Sequence, residues 1–361
     1  MTPGWRDARR VLCVRLDALG DVLMTTPAIR ALRAAHPGRR ITLLTSSAGA
    51  AVAPLIPEVD DTVVYDAPWM KATPPRAAAA SDHALIDALR ARRLDGAVIF
   101  TVYSQSPLPA ALACFLAAIP LRLAHCRENP YQLLTDWVPD PEPARMVRHE
   151  VRRQLDLVAT LDARPADERL SLAIPRRARA RVAALLAEEG LSGDGWLLMH
   201  PGASAASRRY PVELFAEAGR GLSAATGRAV VLTGAAGERD VVEAVRRGIG
   251  AAARSLAGRL DLAELAALVA RAPLLVSNNT APVHIAAAVG TPVVDLYALT
   301  NPQHTPWAVA HSVLSHDVPC KYCYKSVCPE GHHDCLRRVA PEAVVQAGLE
   351  LLGSAAWPLR S

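Results

Sequence analysis

Eight short, continuously apolar runs, four in each half of the chain, constrain the fold more than any other feature of the sequence. VLCVRL (11–16), ITLLTS (41–46), TVVYD (62–66) and AVIFT (97–101) form one set; WLLMH (196–200), AVVLTG (229–234), LLVSN (274–278) and VVDLYA (293–298) form the other. Unbroken apolar runs fit strands buried on both faces, as in parallel sheets, better than strands with one wet face. Between them lie stretches such as TPAIRALRAAH (26–36), DHALIDALRARR (82–93), PVELFAEAGRGLSAA (211–225) and DLAELAALVARA (261–272), whose apolar residues recur at helical spacing. This alternation predicts α/β architecture with doubly wound sheets, and it occurs twice.

The two sets are separated by an irregular, proline-containing stretch (129–143), a helix over 149–161 and a Pro- and Arg-rich segment around Pro175. At 361 residues the chain also exceeds the roughly 250–300 over which one core usually grows. The reading is therefore two Rossmann-like domains facing a central cleft. The first spans 1–175 and the second 176–340, and a helix in 341–361 packs back across the junction. Ligands in open α/β sheets bind beyond the carboxyl ends of the strands, so the turns after strands should carry the chemistry.

Composition removes several alternatives. With 51% hydrophobic and 21% charged residues the chain is not disordered, and with only 4% aromatics its cores rest on Ala, Leu and Val. Its net charge of +5 comes with 37 arginines and three lysines but no concentrated basic stripe, which argues against nucleic acid as a partner. Guanidinium does suit phosphate and carboxylate. No run approaches the roughly 18–20 apolar residues of a membrane span, and Arg15 and Asp17 interrupt the first apolar run before it can act as a signal segment. The expectation is a cytoplasmic protein, at most peripheral to the inner face of a membrane. Seven cysteines, an odd number without a secretion signal, point to reduced thiols.

The first strand is followed by DALGDVLMTTPAI (17–29), where Gly20 stands alone rather than in a dinucleotide fingerprint. Asp21 then falls at a helix start, as a cleft-facing carboxylate or simply as a cap. In PGASAASRRYP (201–211) small residues, among them Ser204, leave backbone amides accessible beside Arg208 and Arg209. That composition makes an anion site, most naturally for a diphosphate, unless it is an ordinary surface loop. Glu238, in TGAAGERD (233–240), suits ribose hydroxyls or the helix dipole equally. In LLVSNNTAPVHIAAAVGTPVVDLYA (274–298) a strand ends in polar residues and a helix begins near Ala281 or Pro282, with His284 one turn in. A helix start of this kind carries about half a positive charge toward a phosphate. Cys320, Cys323, Cys328 and Cys335 crowd into sixteen residues with His332 and His333. They allow a tetrahedral zinc site, although the spacing is not that of two zinc knuckles, and a compact loop of reduced thiols is the favoured reading.

Together, LGDVLMTTPAIRALR (19–33), HPGAS with RRYP (200–211), SNNTAPVHIAAAVGTPVVDLY (277–297) and CPEGHHDCL (328–336) resemble glycosyltransferase family 9, the heptosyltransferases that use ADP-heptose in lipopolysaccharide core assembly. The resemblance implies a GT-B fold, with the acceptor bound by the N-terminal domain (1–175) and the nucleotide-sugar donor by the C-terminal one (176–340), and an inverting transfer that requires no cofactor or metal. On it, Asp21 looks like the general base and Arg208 like the residue stabilising donor phosphate, with Arg209 adjacent. Ser204, Thr280, the amides around Ala281 and Pro282, and His284 would line the diphosphate. Glu238 resembles a ribose-binding acid, and Leu260 falls where an apolar side chain packs near adenine. Asn279 and Ala281 depart from the Asp-Thr/Ser-Gly that family members often carry: Asn279 keeps hydrogen bonding to a sugar but loses a carboxylate, and Ala281 narrows the approach to phosphate. The acceptor implied is a glycan or glycolipid; were it anionic, Arg76, Arg90, Arg92 and Arg93 could meet it. The rival readings are a nucleotide-sugar epimerase of the same architecture, a transferase acting on some other small acceptor, and a metal-stabilised binding module around the cysteines.

Overall fold

The computed structural model describes residues 4–71, 73–191, 193 and 195–354. The chain divides into two compact units, one ending at Ala173 and the other beginning at Ile174.

The first unit is built on β1 (Arg10–Arg15), β2 (Arg40–Thr45), β3 (Asp61–Val64), β4 (Gly96–Ile99), β5 (Leu121–Cys126) and β6 (Asp136–Pro139). All are parallel, in the order β3-β2-β1-β4-β5-β6. The second holds β7 (Trp196–His200), β8 (Ala229–Leu232), β9 (Ala253–Ser255), β10 (Leu275–Asn278), β11 (Val293–Leu296) and β12 (His311–Leu314), ordered β12-β11-β10-β7-β8-β9. Renumbered from its own first strand, this sheet has the same order as the first. Both follow the dinucleotide-fold pattern, in which the strand order reverses between the first and fourth strands and leaves a crevice there. The relevant crevices lie between β1 and β4 and between β7 and β10.

The cores are aliphatic. Val11, Leu12, Cys13 and Ile41 are fully buried in the first sheet, and Leu197, Leu198, Val230 and Val276 in the second. The terminal helix Pro341–Ser354, which the sequence reading sends across the junction, packs on the helix Val212–Thr226 and on β11 and β12, all in the second unit.

Two local outcomes differ from the periodicity. The first helix runs Leu19–Ala34, so Pro27 lies inside it rather than at its start. A mid-helix proline cannot donate to the carbonyl four residues back. That carbonyl, of Leu23, instead accepts from the Thr26 hydroxyl at 2.6 Å, which repairs the ladder locally. The stretch 129–143, read as irregular, contains the strand β6 at the sheet edge, the one place where Pro139 removes no ladder bond.

Candidate functional site

In the first unit, the turn after β1 converges on one buried cation. Arg15 is 0% exposed and directs its three nitrogens at three carboxylates: Nε to Asp17 (2.9 Å), Nη1 to Glu150 (2.6 Å) and Nη2 to Asp21 (3.3 Å). Burial opposes the guanidinium charge, yet the surrounding acids hold its proton above the usual arginine range. Asp17 is pushed up to about 6, by burial first and then by its neighbours Asp21 and Glu150, against the pull of Arg15. Asp21 is the third residue of its helix, and its Oδ2 accepts from the Ala18 N–H (3.2 Å). It therefore caps the helix start, and its side chain keeps 19% exposure. Capping thus leaves part of the Asp21 carboxylate accessible.

In the second unit, the turn after β7 carries Gly202, Ser204, Arg208 and Arg209. Ser204 is exposed. The two arginines separate in role: Arg209 is exposed and its Nε donates to the Ala203 carbonyl (2.8 Å), bracing the turn. Arg208 closes the short helix Ala206–Arg208, and its charge reaches the buried Asp295. The turn is pinned from two sides. Asn278, fully buried at the end of β10, donates to the Pro201 carbonyl (2.7 Å) and accepts from the Tyr210 N–H (3.0 Å). Ser207 donates through its amide to Ser326 O (3.0 Å) and through its hydroxyl to Lys325 O (2.8 Å), while the His333 ring meets the Ser207 carbonyl (2.6 Å). The cysteine-rich loop is thus a buttress for the segment that carries Arg208.

Glu238 lies over this turn. Its Oε2 accepts from the Ala235 N–H (2.8 Å) and stands 3.8 Å from Nε2 of His200, a ring that burial pushes down to about 4 and so keeps neutral near pH 7. A Cβ on Gly202 would fall 2.3 Å from the Glu238 carboxylate, so glycine here lets that carboxylate lie against the turn. Leu260 is half-buried just before Asp261, which caps the helix Leu262–Arg271 through the Glu264 N–H (2.8 Å).

The helix Ala281–Val289 begins one residue after Asn279-Thr280. Thr280 sits at the cap position in extended backbone and its side chain makes no capping hydrogen bond; Pro282 has no N–H and the Val283 N–H donates back to the Thr280 carbonyl (3.0 Å), which leaves the Ala281 N–H as the first-turn donor for a ligand. Pro282 occupies the first turn; Ala281 is half-buried and His284 is buried one turn in. Asn279 differs from the sequence expectation. It is 3% exposed, and its amide nitrogen donates to Asp295 Oδ2 (2.9 Å) and to the His304 carbonyl (3.1 Å), so those hydrogens brace the site instead of reaching outward for a sugar. Asp295, which the sequence reading passed over as part of a strand, supplies the carboxylate that position 279 lacks. It is fully buried on β11, and burial pushes it up to about 7 against the Asn279 hydrogen bond and the Arg208 charge. A lone acid inside the run VVDLYA was the signal that could have found it.

Two other sets of residues singled out in the sequence lie outside these turns. Cys320, Cys323, Cys328 and Cys335 are free thiols of intermediate exposure, and among the described residues no group of three or more Cys, His, Asp or Glu is arranged to hold a metal. Of the arginines offered to an anionic acceptor, Arg76 pairs with Asp82, Arg90 with Asp87 (2.8 Å) and Arg92 with Asp61 (2.8 Å), so much of that charge is neutralised within the unit.

The model of glycosyltransferase family 9 (heptosyltransferase) matches residues 83–333. The chain belongs to this family. Lipopolysaccharide heptosyltransferase 2 of Salmonella typhimurium is 25% identical over 347 residues, 93% of this chain and 97% of that protein. Lipooligosaccharide heptosyltransferase 2 of Campylobacter jejuni is 28% identical over 101 residues, which span only 32% of its length. Among solved structures, the family 9 protein of Veillonella parvula has TM-score 0.79 at 21% identity, covering 98% of this chain and all of that one. The ADP-heptose lps heptosyltransferase II of E. coli has TM-score 0.73 at 23% identity, covering 95% and 98%. These likenesses establish the GT-B fold for this family 9 chain.

Proposed function

We propose that this family 9 protein is an inverting glycosyltransferase that moves a heptose from ADP-heptose to a hydroxyl of a glycan or glycolipid acceptor such as a lipopolysaccharide core sugar. The observation that carries the donor reading is the uncapped start of the helix Ala281–Val289, at the strand-order reversal of the second sheet, in the same unit as Arg208. A helix N-terminus, here with the Ala281 N–H as its outward donor, and a guanidinium suit a departing diphosphate. The second unit is accordingly assigned to the donor, with Ser204, Thr280 and His284 around the diphosphate, Glu238 on the ribose and Leu260 by the adenine, and the first to the acceptor.

In the reaction, Asp21 takes the proton of the acceptor hydroxyl. The oxygen–anomeric carbon bond forms on one face as the carbon–phosphate oxygen bond breaks on the other, and the nucleoside diphosphate leaves with the electron pair. No step calls for a metal or an organic cofactor. Among the described residues no helix is long and apolar enough to cross a membrane, which is compatible with a cytoplasmic enzyme in at most peripheral contact with one.

The test is a panel of ADP-, GDP- and UDP-linked sugars scored by thermal shift and then by transfer. A ligand at 100 times its dissociation constant stabilises by about 2.7 kcal/mol, so the preferred nucleotide is readily resolved. ADP-heptose is expected to give the largest shift and to be consumed only with acceptor. Conversion of donor to an epimer without acceptor would overturn the transferase reading for the epimerase. Within the site, Gly202→Ala is expected to displace the Glu238 carboxylate and weaken ADP binding about tenfold, the size of one hydrogen bond to a charged group, with little change in melting temperature. Calorimetry with ADP checks it.

A further inference from the structure

The first unit contains a cavity of about 240 Å³ that the donor chemistry does not use. It opens at the carboxyl ends of β1 and β4, the point where the order of the first sheet reverses and where an open α/β sheet offers its crevice. Its wall includes Leu16, Asp17, Trp69, Thr101, Ser104 and Gln105. Among the described lining residues Asp17 is the one ionisable group, and there is no Lys, Arg or His.

Asp17 is held rather than loose. Its Oδ1 accepts from Gln105 Nε2 (2.6 Å), its Oδ2 lies 2.9 Å from Arg15 Nε, and its backbone carbonyl accepts from the Ser46 hydroxyl (2.7 Å). A carboxylate offers about four acceptor positions, so room remains for two more donors, and its side chain is 14% exposed. Arg15, fully buried behind the wall, is one guanidinium shared among the carboxyl groups of Asp17, Asp21 and Glu150, so the cluster beside the cavity holds more acid than base. Trp69 is 37% exposed and is backed by Tyr65, with ring centroids 5.8 Å apart. An indole face, one fixed carboxylate, an amide and hydroxyls form a wall suited to a ring with apolar C–H faces and equatorial hydroxyl donors. A second negative charge would be repelled: two unit charges 4 Å apart interact by about 1 kcal/mol in water and about 4 kcal/mol near a protein surface. At 240 Å³ the cavity is also smaller than the roughly 300–1,000 Å³ that hold drug-sized ligands, a scale that suits one sugar ring.

We propose that this cavity is a subsite for a single uncharged monosaccharide unit of the acceptor, with Asp17 accepting hydrogen bonds from its hydroxyls and Trp69 covering one face. The inference rests on the transferase reading for the word acceptor, and it sharpens that reading: whatever charge the whole acceptor carries, the unit seated here is neutral. Because Arg15 touches both Asp17 and Asp21, the residue that holds this sugar and the base proposed for the reacting hydroxyl share one rigid anchor.

The test uses the full chain and three probes of one size: methyl mannoside, methyl mannoside 6-phosphate and methyl glucuronide. Saturation-transfer NMR is expected to detect the neutral glycoside and neither anion. Asp17→Asn and Trp69→Ala, prepared separately so that one folding failure does not end the experiment, are each expected to weaken the neutral glycoside about tenfold while ADP affinity by calorimetry stays at the wild-type value. Binding of the anionic probes as tight as the neutral one, or unchanged neutral binding in both variants, overturns the subsite. If the neutral sugar binds through Asp17 and Trp69 but no nucleotide sugar binds the chain, the subsite stands and the transferase reading falls. If transfer occurs with an acceptor KM that neither variant alters, the transferase stands and the subsite falls.

Discussion

Asp21→Asn is expected to lower transfer turnover by about 10²–10⁴-fold, the usual worth of a positioned general base, with ADP affinity and melting temperature close to wild type. The substitution separates two roles that the geometry superimposes. As a cap, Asp21 accepts from the Ala18 N–H at 3.2 Å, and an asparagine oxygen serves that purpose nearly as well. As a base, it must take a proton, which an amide cannot do. The variant therefore keeps the helix start and, with Arg15 still held by Asp17 and Glu150, gives up one 3.3 Å ion pair together with the chemistry. Asp21→Ala removes both and is expected to add a stability loss of about 0.5–2 kcal/mol to the same loss of turnover. Steady-state transfer alongside thermal unfolding reads the two effects separately. Near-normal turnover in Asp21→Asn would leave the residue as a cap alone and send the search for the base to Asp17 or Glu150.

Much of the fold was written in the apolar runs, and the exceptions share a cause. WLLMH matches β7 residue for residue because nothing polar interrupts it. β5 was missed because LRLAHC carries Arg122 and His125, which look like surface residues. In the fold Arg122 is buried by spreading its guanidinium over the carbonyls of Leu133 (2.8 Å), Gln132 (2.9 Å) and Ile119, and burial holds His125 down at about 4, so both enter the core without an exposed charge cost. β6, β9 and β12 are short outer strands whose sequences alternate or carry proline, and they form by pairing onto neighbours that sequence periodicity does not see. The local geometry was legible where a turn's own residues carry it, as at the helix starts by Asp21 and Thr280 and the turn of Arg208. It was illegible where the arrangement depends on a distant partner: Arg15 with Glu150, 135 positions away, Asn279 with Asp295, and Ser207 with the cysteine-rich loop. That loop had no derivable purpose as a set of thiols and acquires one as a support.

Arg208→Ala is expected to cost about 10²–10³-fold in turnover, the scale for removing one donor from a site of developing negative charge, and to weaken ADP binding as well. Arg209→Ala should cost far less, because that guanidinium faces solvent and donates to the Ala203 carbonyl. The contrast matters more than either value, since the two residues are adjacent and chemically identical, and only their placement differs. Arg208→Lys keeps the charge but not the planar pair of donors, so it should recover binding more than turnover. A second readout is independent of any substrate. The Arg208 charge helps hold down Asp295, which burial raises to about 7, so removing it must raise that carboxyl further. An upward shift of the Asp295 titration followed by NMR, together with the loss of turnover, would place Arg208 between the buried acid and the departing diphosphate. Unchanged ADP affinity and unchanged turnover in Arg208→Ala would instead remove Arg208 from the phosphate site and leave the phosphate to the N-terminus of the helix Ala281–Val289, whose cap residue makes no side-chain hydrogen bond.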